Sequence, residues 1–136
     1  GYSASIKTAG KKRNITRSSV RMKSRNYVVY IEDILESMDK IERYIKGLNF
    51  ETFNRNDLIM DAVLRNLEII GEASRNIPKN IREKYPDISW KRMIGLRNIV
   101  IHEYFGVDNG IIWKIISTNL PETKPKITSM LDTFSE

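Results

Sequence analysis

The sequence predicts an all-α protein, a single-domain four- to five-helix bundle, and three observations carry that prediction. Apolar residues recur at steps of three and four through most of the chain, the spacing that gathers side chains on one face of a helix. No segment keeps the two-residue alternation of a half-buried strand. The periodic stretches stop at Gly47, Pro78, Pro86 and Gly106, residues that end or turn a helix. The 136 residues suffice for one core. They show neither a solenoid repeat nor a heptad seam, and no apolar run approaches the ~18 residues of a membrane span.

Residues 1 to 25 hold eight Lys or Arg and no acid, with Ser, Thr and Gly between them. This composition buries too little apolar surface to offset chain entropy, and it lacks the apolar stretch of a signal peptide. Residues 1–24 are therefore expected to be a disordered tail or leader segment, and residues 25–136 the helical domain. Met22 directly precedes the periodic pattern and marks an alternative start. A basic RNA-binding arm is the other reading of the same segment.

The first helix is expected from Asn26 to Gly47, with Tyr27, Ile31, Ile34, Leu35, Met38, Ile41 and Ile45 inward and Glu32, Asp33, Glu36, Asp39 and Glu42 opposite. Asn54 or Asn56 can cap the second, in which Leu58, Ala62, Val63, Leu67, Ile70 and Ala73 form the buried stripe before Pro78. Arg65, Asn66, Glu68 and Glu72 occupy its other face. That face is solvated, or its Arg65, Asn66 and Glu72 meet a partner helix or the active cleft. Residues 79–85 make a helical turn, and Tyr85-Pro86-Asp87 is a break, because proline pushes the preceding residue out of helical geometry. Ser89 caps a third long helix, with Trp90, Met93, Ile94 and Arg97 at helical steps and Gly95 permitting close helix approach. This helix is expected to fray near Ile101 to Tyr104. Phe105-Gly106-Val107-Asp108 then turns the chain, with Asp108 as the next cap. A last helix buries Ile111, Ile112, Ile115 and Ile116, kinks or restarts at Leu120-Pro121, and continues through Ile127, Met130 and Leu131.

Composition narrows the chemistry. Without cysteine there is no disulfide and no thiolate metal site, and with one histidine a metal site would need carboxylates almost alone, so neither metal nor cofactor is expected. A reducing cytoplasm is the natural home. The net charge of +6 is concentrated in the first 25 residues; the remainder carries 15 Lys or Arg against 17 Asp or Glu, about −2. RNA affinity would therefore have to come from the tail or from a local cleft, because counterion release needs clustered cations.

The stretch from Arg97 to Tyr104 holds the only histidine, His102, with an arginine five positions before it and a tyrosine two after. Imidazole titrates near neutrality and can exchange protons at physiological pH, while the planar guanidinium of Arg97 suits phosphate. Together they suggest phosphodiester chemistry. A lone histidine near a helix end is also commonly a packing or capping residue. Five helical steps separate two side chains by about 140°, so convergence of Arg97 and His102 requires the helix to loosen between them.

From about residue 24 to 131 the chain resembles the HepT-like toxins of the HEPN superfamily. The resemblance rests on Tyr27 with Ile31-Glu32-Asp33-Ile34-Leu35, on the run from Asp61 to Ala73, on Gly95-Leu96-Arg97-Asn98, on His102-Glu103-Tyr104-Phe105-Gly106-Val107-Asp108 and on the late Leu120-Pro121. It implies an all-helical HEPN bundle, dimeric with facing motifs, and a metal-independent endoribonuclease with Arg97, Asn98 and His102 as the site. It also implies a minimal nucleotidyltransferase antitoxin that silences the toxin by transferring AMP to Tyr104. Two positions depart from the family: Ser89 stands where proline is frequent, and Glu103 where glycine is common. The carboxylate of Glu103 beside the motif disfavours an anionic substrate. The alternative is a non-catalytic helical binding module, or a substrate-binding subunit for the nucleotidyltransferase.

Overall fold

A computed structural model describes residues 19–103, 106 and 108–135. The described residues are arranged as α1 (Ser19–Ile45), α2 (Phe50–Asn54), α3 (Asp57–Asn76), α4 (Lys79–Arg82), α5 (Trp90–Glu103) and α6 (Asn109–Lys114), followed by a π-helical turn (Ile115–Asn119) and α7 (Leu120–Ser135). Since α6, the π turn and α7 follow without a gap, they make one rod, and four long rods with two short helical turns compose the all-α bundle among the described residues. Helix α1 starts at Ser19, ahead of Asn26, so the apolar pattern marks where it meets the core rather than where it begins. Residues 1–18, most of the expected tail, lie outside the described residues.

Local signals explain most boundaries. Gly47, at φ 81°, turns the chain after α1. Asn49 and Thr52 form a reciprocal cap at the start of α2. Of the two candidates, Asn56 caps α3, its side chain accepting from the Ile59 amide at 3.0 Å. Ser89 holds the cap position of α5, its carbonyl accepting from the Met93 amide. Asp108 caps α6, accepting from the Gly110 amide at 2.8 Å. Leu120 donates its amide to the Ile115 carbonyl, one residue beyond the α register, immediately before Pro121. Proline has no amide and crowds the preceding turn. The expected kink is thus realised as a widened turn, and Pro125 sits within α7 with the helix continuing past it.

Helix α3 is the centre of the bundle, packed between α1 and α5, and α7 closes the far side of α1. Ile31, Ile34, Met38 and Ile41 of α1 meet Val63, Leu67 and Ile70 of α3, with Ile112, Ile116, Ile127 and Met130 completing the core. Each such buried side chain contributes about 1.5–3 kcal/mol by removal from water. Two expected core residues are exposed: Leu58, 80% exposed in the first turn of α3, and Ile111, 48% exposed on α6. Leu58 stands in the first turn of α3, and Ile111 borders an open groove between α5 and the α6–α7 rod. On the outside, Lys124 of α7 bonds Glu42 of α1 at 2.9 Å and pairs with Asp39. These hydrogen bonds, first with Asp39 and then with Glu42, raise the Lys124 pKa above the ordinary 10.5.

Candidate functional site

Helix α5 carries the candidate residues, and its start is anchored by Trp90, whose indole donates to the Tyr85 carbonyl at 3.1 Å. Met93, Leu96 and Val100 bury its inner stripe. Helical geometry persists to Glu103, so the expected loosening near Ile101 does not occur before His102. The left-handed turn falls later, at Gly106 with φ 95°. Five uninterrupted residues hold Arg97 and His102 about 140° apart. Arg97 is half-buried toward α3, whereas Asn98 and His102, four residues apart on a common side, are exposed. One chain therefore sets Asn98 and His102 on a common side of α5 and Arg97 on another. Tyr104 lies outside the described residues.

The position of Arg97 is set from α3. A Cβ built on Gly71 would lie 3.0 Å from the Arg97 amide nitrogen and 3.3 Å from its Cγ, so only glycine lets the two backbones come this close. Gly95, expected to serve that role, instead faces open space. The next residue, Glu72, meets the Arg97 guanidinium at 3.3 Å and the Arg75 guanidinium at 3.4 Å. With both side chains of the Arg97–Glu72 pair 43% exposed, the bond contributes at most about 1 kcal/mol. Its consequence is orientation: the five-donor guanidinium is turned toward Glu72 while the side chain stays 43% exposed. The polar face foreseen on α3 divides accordingly. Arg65 and Glu68 form a solvated pair at 3.7 Å, Glu72 meets the site, and Asn66 is only 5% exposed, its amide donating to the Ala62 carbonyl at 2.9 Å. Its Oδ1 has no hydrogen-bond partner among the described residues. Spacing named Glu72 as a candidate for the cleft but could not name the residue it meets.

A family model described as "Ribonuclease HepT-like" matches residues 34–130, a span that contains α3, α5 and the whole stretch from Arg97 to Asp108. The chain belongs to the HepT-like ribonuclease family. This HepT-like chain is 44% identical over 106 residues to a Methanocaldococcus jannaschii protein carrying the name "Putative RNase MJ1380", covering 78% of the chain and 97% of the relative. It is 40% identical over 106 residues to the "Probable ribonuclease HepT" of Thermococcus cleftensis, covering 78% and 96%. A third relative, "Putative RNase TTE0752" of Caldanaerobacter subterraneus, is 41% identical over 102 residues, covering 75% and 91%. No solved structure matches the chain. Among the described residues of this HepT-like ribonuclease, no three His, Cys, Asp or Glu side chains gather as a metal site, and no helix is long and apolar enough to cross a membrane.

Proposed function

We propose that this HepT-like protein is the toxin of a toxin–antitoxin pair, a cytoplasmic endoribonuclease that cleaves RNA without a metal and works as a two-fold dimer. The observation that carries the reading is the division of α5, with Arg97 held by Glu72 on one side and Asn98 and His102 open to solvent on another. Transesterification of RNA needs a base for the ribose 2′-OH and an acid for the leaving 5′-oxygen, and each chain has one histidine. Two chains related by a two-fold axis supply both. One His102 removes the 2′-OH proton, the 2′-oxygen attacks the adjacent phosphorus, and the second chain's His102 protonates the departing 5′-oxygen. The products are a 2′,3′-cyclic phosphate and a 5′-hydroxyl. Arg97 stabilises the added charge on the phosphorane, and Asn98, beside His102 on its helix face, orients the imidazole or the phosphate.

Regulation follows from the same motif. A nucleotidyltransferase antitoxin would transfer AMP from ATP to the Tyr104 hydroxyl, with pyrophosphate leaving, and so place negative charge and bulk where an RNA phosphate must sit. The test is cleavage of RNA by the purified protein in EDTA, with His102→Ala as control and end-group analysis of the products. Cyclic phosphate ends that disappear in the well-folded variant support the reading. Undiminished cleavage by His102→Ala removes it, and absence of cleavage by the dimeric wild type favours the non-catalytic binding module.

A further inference from the structure

The side of α5 turned away from Arg97 is open. Arg92, Gly95, Ile99 and His102 follow one another at steps of three, four and three, which places them on one stripe of the helix. The first three line a groove of about 540 Å³ between α5 and the α6–α7 rod, within the usual range of ligand clefts. Its floor is aliphatic, built from Met93, Leu96, Ile99, Ile115 and Leu120, and the π turn supplies one wall. Three cations from three elements surround it: Arg92 of α5, Lys114 of α6 and Lys126 of α7, against the single carboxylate of Glu122. Lys126 spends a hydrogen bond on the Asp87 carbonyl at 2.9 Å, and neither Arg92 nor Lys114 joins a salt bridge among the described residues. Ser89, Asn119 and Thr123 add hydrogen-bonding groups at the rim.

From this arrangement we infer that the groove binds the single-stranded RNA flanking the cut, directing its backbone along α5 to His102. The inference rests on the ribonuclease reading and adds to it the surface that holds the substrate. The body of the protein is near −2 in charge, so an RNA strand needs a local concentration of cations, and here one borders the α5 stripe that ends in the histidine, with Arg92 on that stripe and Lys114 and Lys126 facing it. Phosphates meet Arg92, Lys114 and Lys126 while bases rest on the aliphatic floor. Gly95 is the gap through which the strand passes: nothing lies within 4 Å of a Cβ built there, so a larger side chain would fill the groove without touching the core.

The experiment uses the full chain and a 2′-O-methylated single-stranded RNA of about a dozen nucleotides, a length within usual single-strand site sizes and one that cannot be cut by 2′-OH attack. Binding is measured by fluorescence anisotropy over a range of salt. Gly95→Leu is expected to weaken binding about tenfold or more, and Lys114→Ala and Arg92→Ala to weaken it several-fold across sequences, each lowering the salt slope by about 1. Wild-type affinity and slope in Gly95→Leu and Lys114→Ala overturn the inference. Dissociation of the dimer in Gly95→Leu with RNA affinity unchanged also overturns it, assigning the groove to a second copy of the chain. If Gly95→Leu fails to unfold cooperatively, Lys114→Ala, a solvent-exposed change, decides alone. Groove-dependent binding without cleavage of unmodified RNA would defeat the ribonuclease reading and leave the groove standing. His102-dependent cleavage with RNA binding indifferent to the groove variants would do the reverse.

Discussion

The two sides of α5 make opposite use of glycine. On the α3 side Gly71 is closed: the Arg97 backbone crowds the place a methyl group would take, and this close approach leaves the Arg97 guanidinium beside Glu72. On the other side Gly95 is open, with no atom within 4 Å of a Cβ, and the space continues as the groove between α5 and the α6–α7 rod. One helix therefore carries an arginine paired with a neighbouring helix and an accessible histidine, about 140° apart. A paired position suits a group that stabilises charge, and exposure suits one that must exchange protons with a substrate.

The largest test of this contrast is chemical. Arg97→Ala and His102→Ala are each expected to lower RNA cleavage by at least about a hundredfold, the scale of losing a positioned charge or proton donor. Circular dichroism should show the fold retained, since neither side chain is part of the core. A smaller loss at either position would mean that the two sides of α5 do not share one reaction.

Next in size is a pair of stability changes of opposite sign. Gly71→Ala must displace α5 and is expected to cost about 1–3 kcal/mol, as overpacking does. Gly95→Ala meets nothing and should stabilise by about 0.5–1 kcal/mol through helix propensity. Urea unfolding measures both. Equal effects would erase the distinction between a closed and an open side.

Glu72→Gln should leave the denaturation midpoint close to wild type, because the Arg97–Glu72 pair is half exposed. The turnover rate should fall several-fold as Arg97 loses its orientation. Unchanged turnover with an unchanged substrate constant would show that Arg97 needs no support from α3.

The smallest expected effect concerns Lys124, remote from the site. Its pKa is raised in the folded state by bonds to Asp39 and Glu42, so the stability it contributes is fully present below the unfolded value of 10.5 and is lost as pH rises through the higher folded value. Thermal unfolding followed through that alkaline window should decline more steeply for wild type than for Lys124→Met. Parallel curves would remove Lys124 from the α1–α7 contact.

Much of this arrangement was legible in the residues. Ile31, Ile34, Met38 and Ile41 announced the buried face of α1, the pair Asn54 and Asn56 announced the start of α3 without deciding between them, and Asp108 announced that of α6, because periodicity and capping act within a few residues. Leu58 and Ile111 satisfied the same periodicity yet lie exposed, since a pattern marks a face of a helix but not whether another element covers it at that point. The tight glycine was sought at Gly95 and found at Gly71, because the need for a missing side chain is decided by the atoms across the interface. Arg97 and His102 stood out by type and spacing, whereas the Glu72 contact depends on how α3 and α5 pack. The cations of the groove were hidden because Arg92, Lys114 and Lys126 come from three elements and each alone is an ordinary surface residue.

If one reaction uses a histidine from each of two chains, mixing subunits reveals it. Wild-type protein and His102→Ala protein, combined in equal amounts and allowed to exchange, distribute as two homodimers and a mixed dimer. If both imidazoles are needed, only the dimers with two wild-type chains cleave, and activity per total dimer falls to about a quarter of the wild-type value, the statistical share of those dimers. Activity at about half, the value for chains that act independently, would contradict the account.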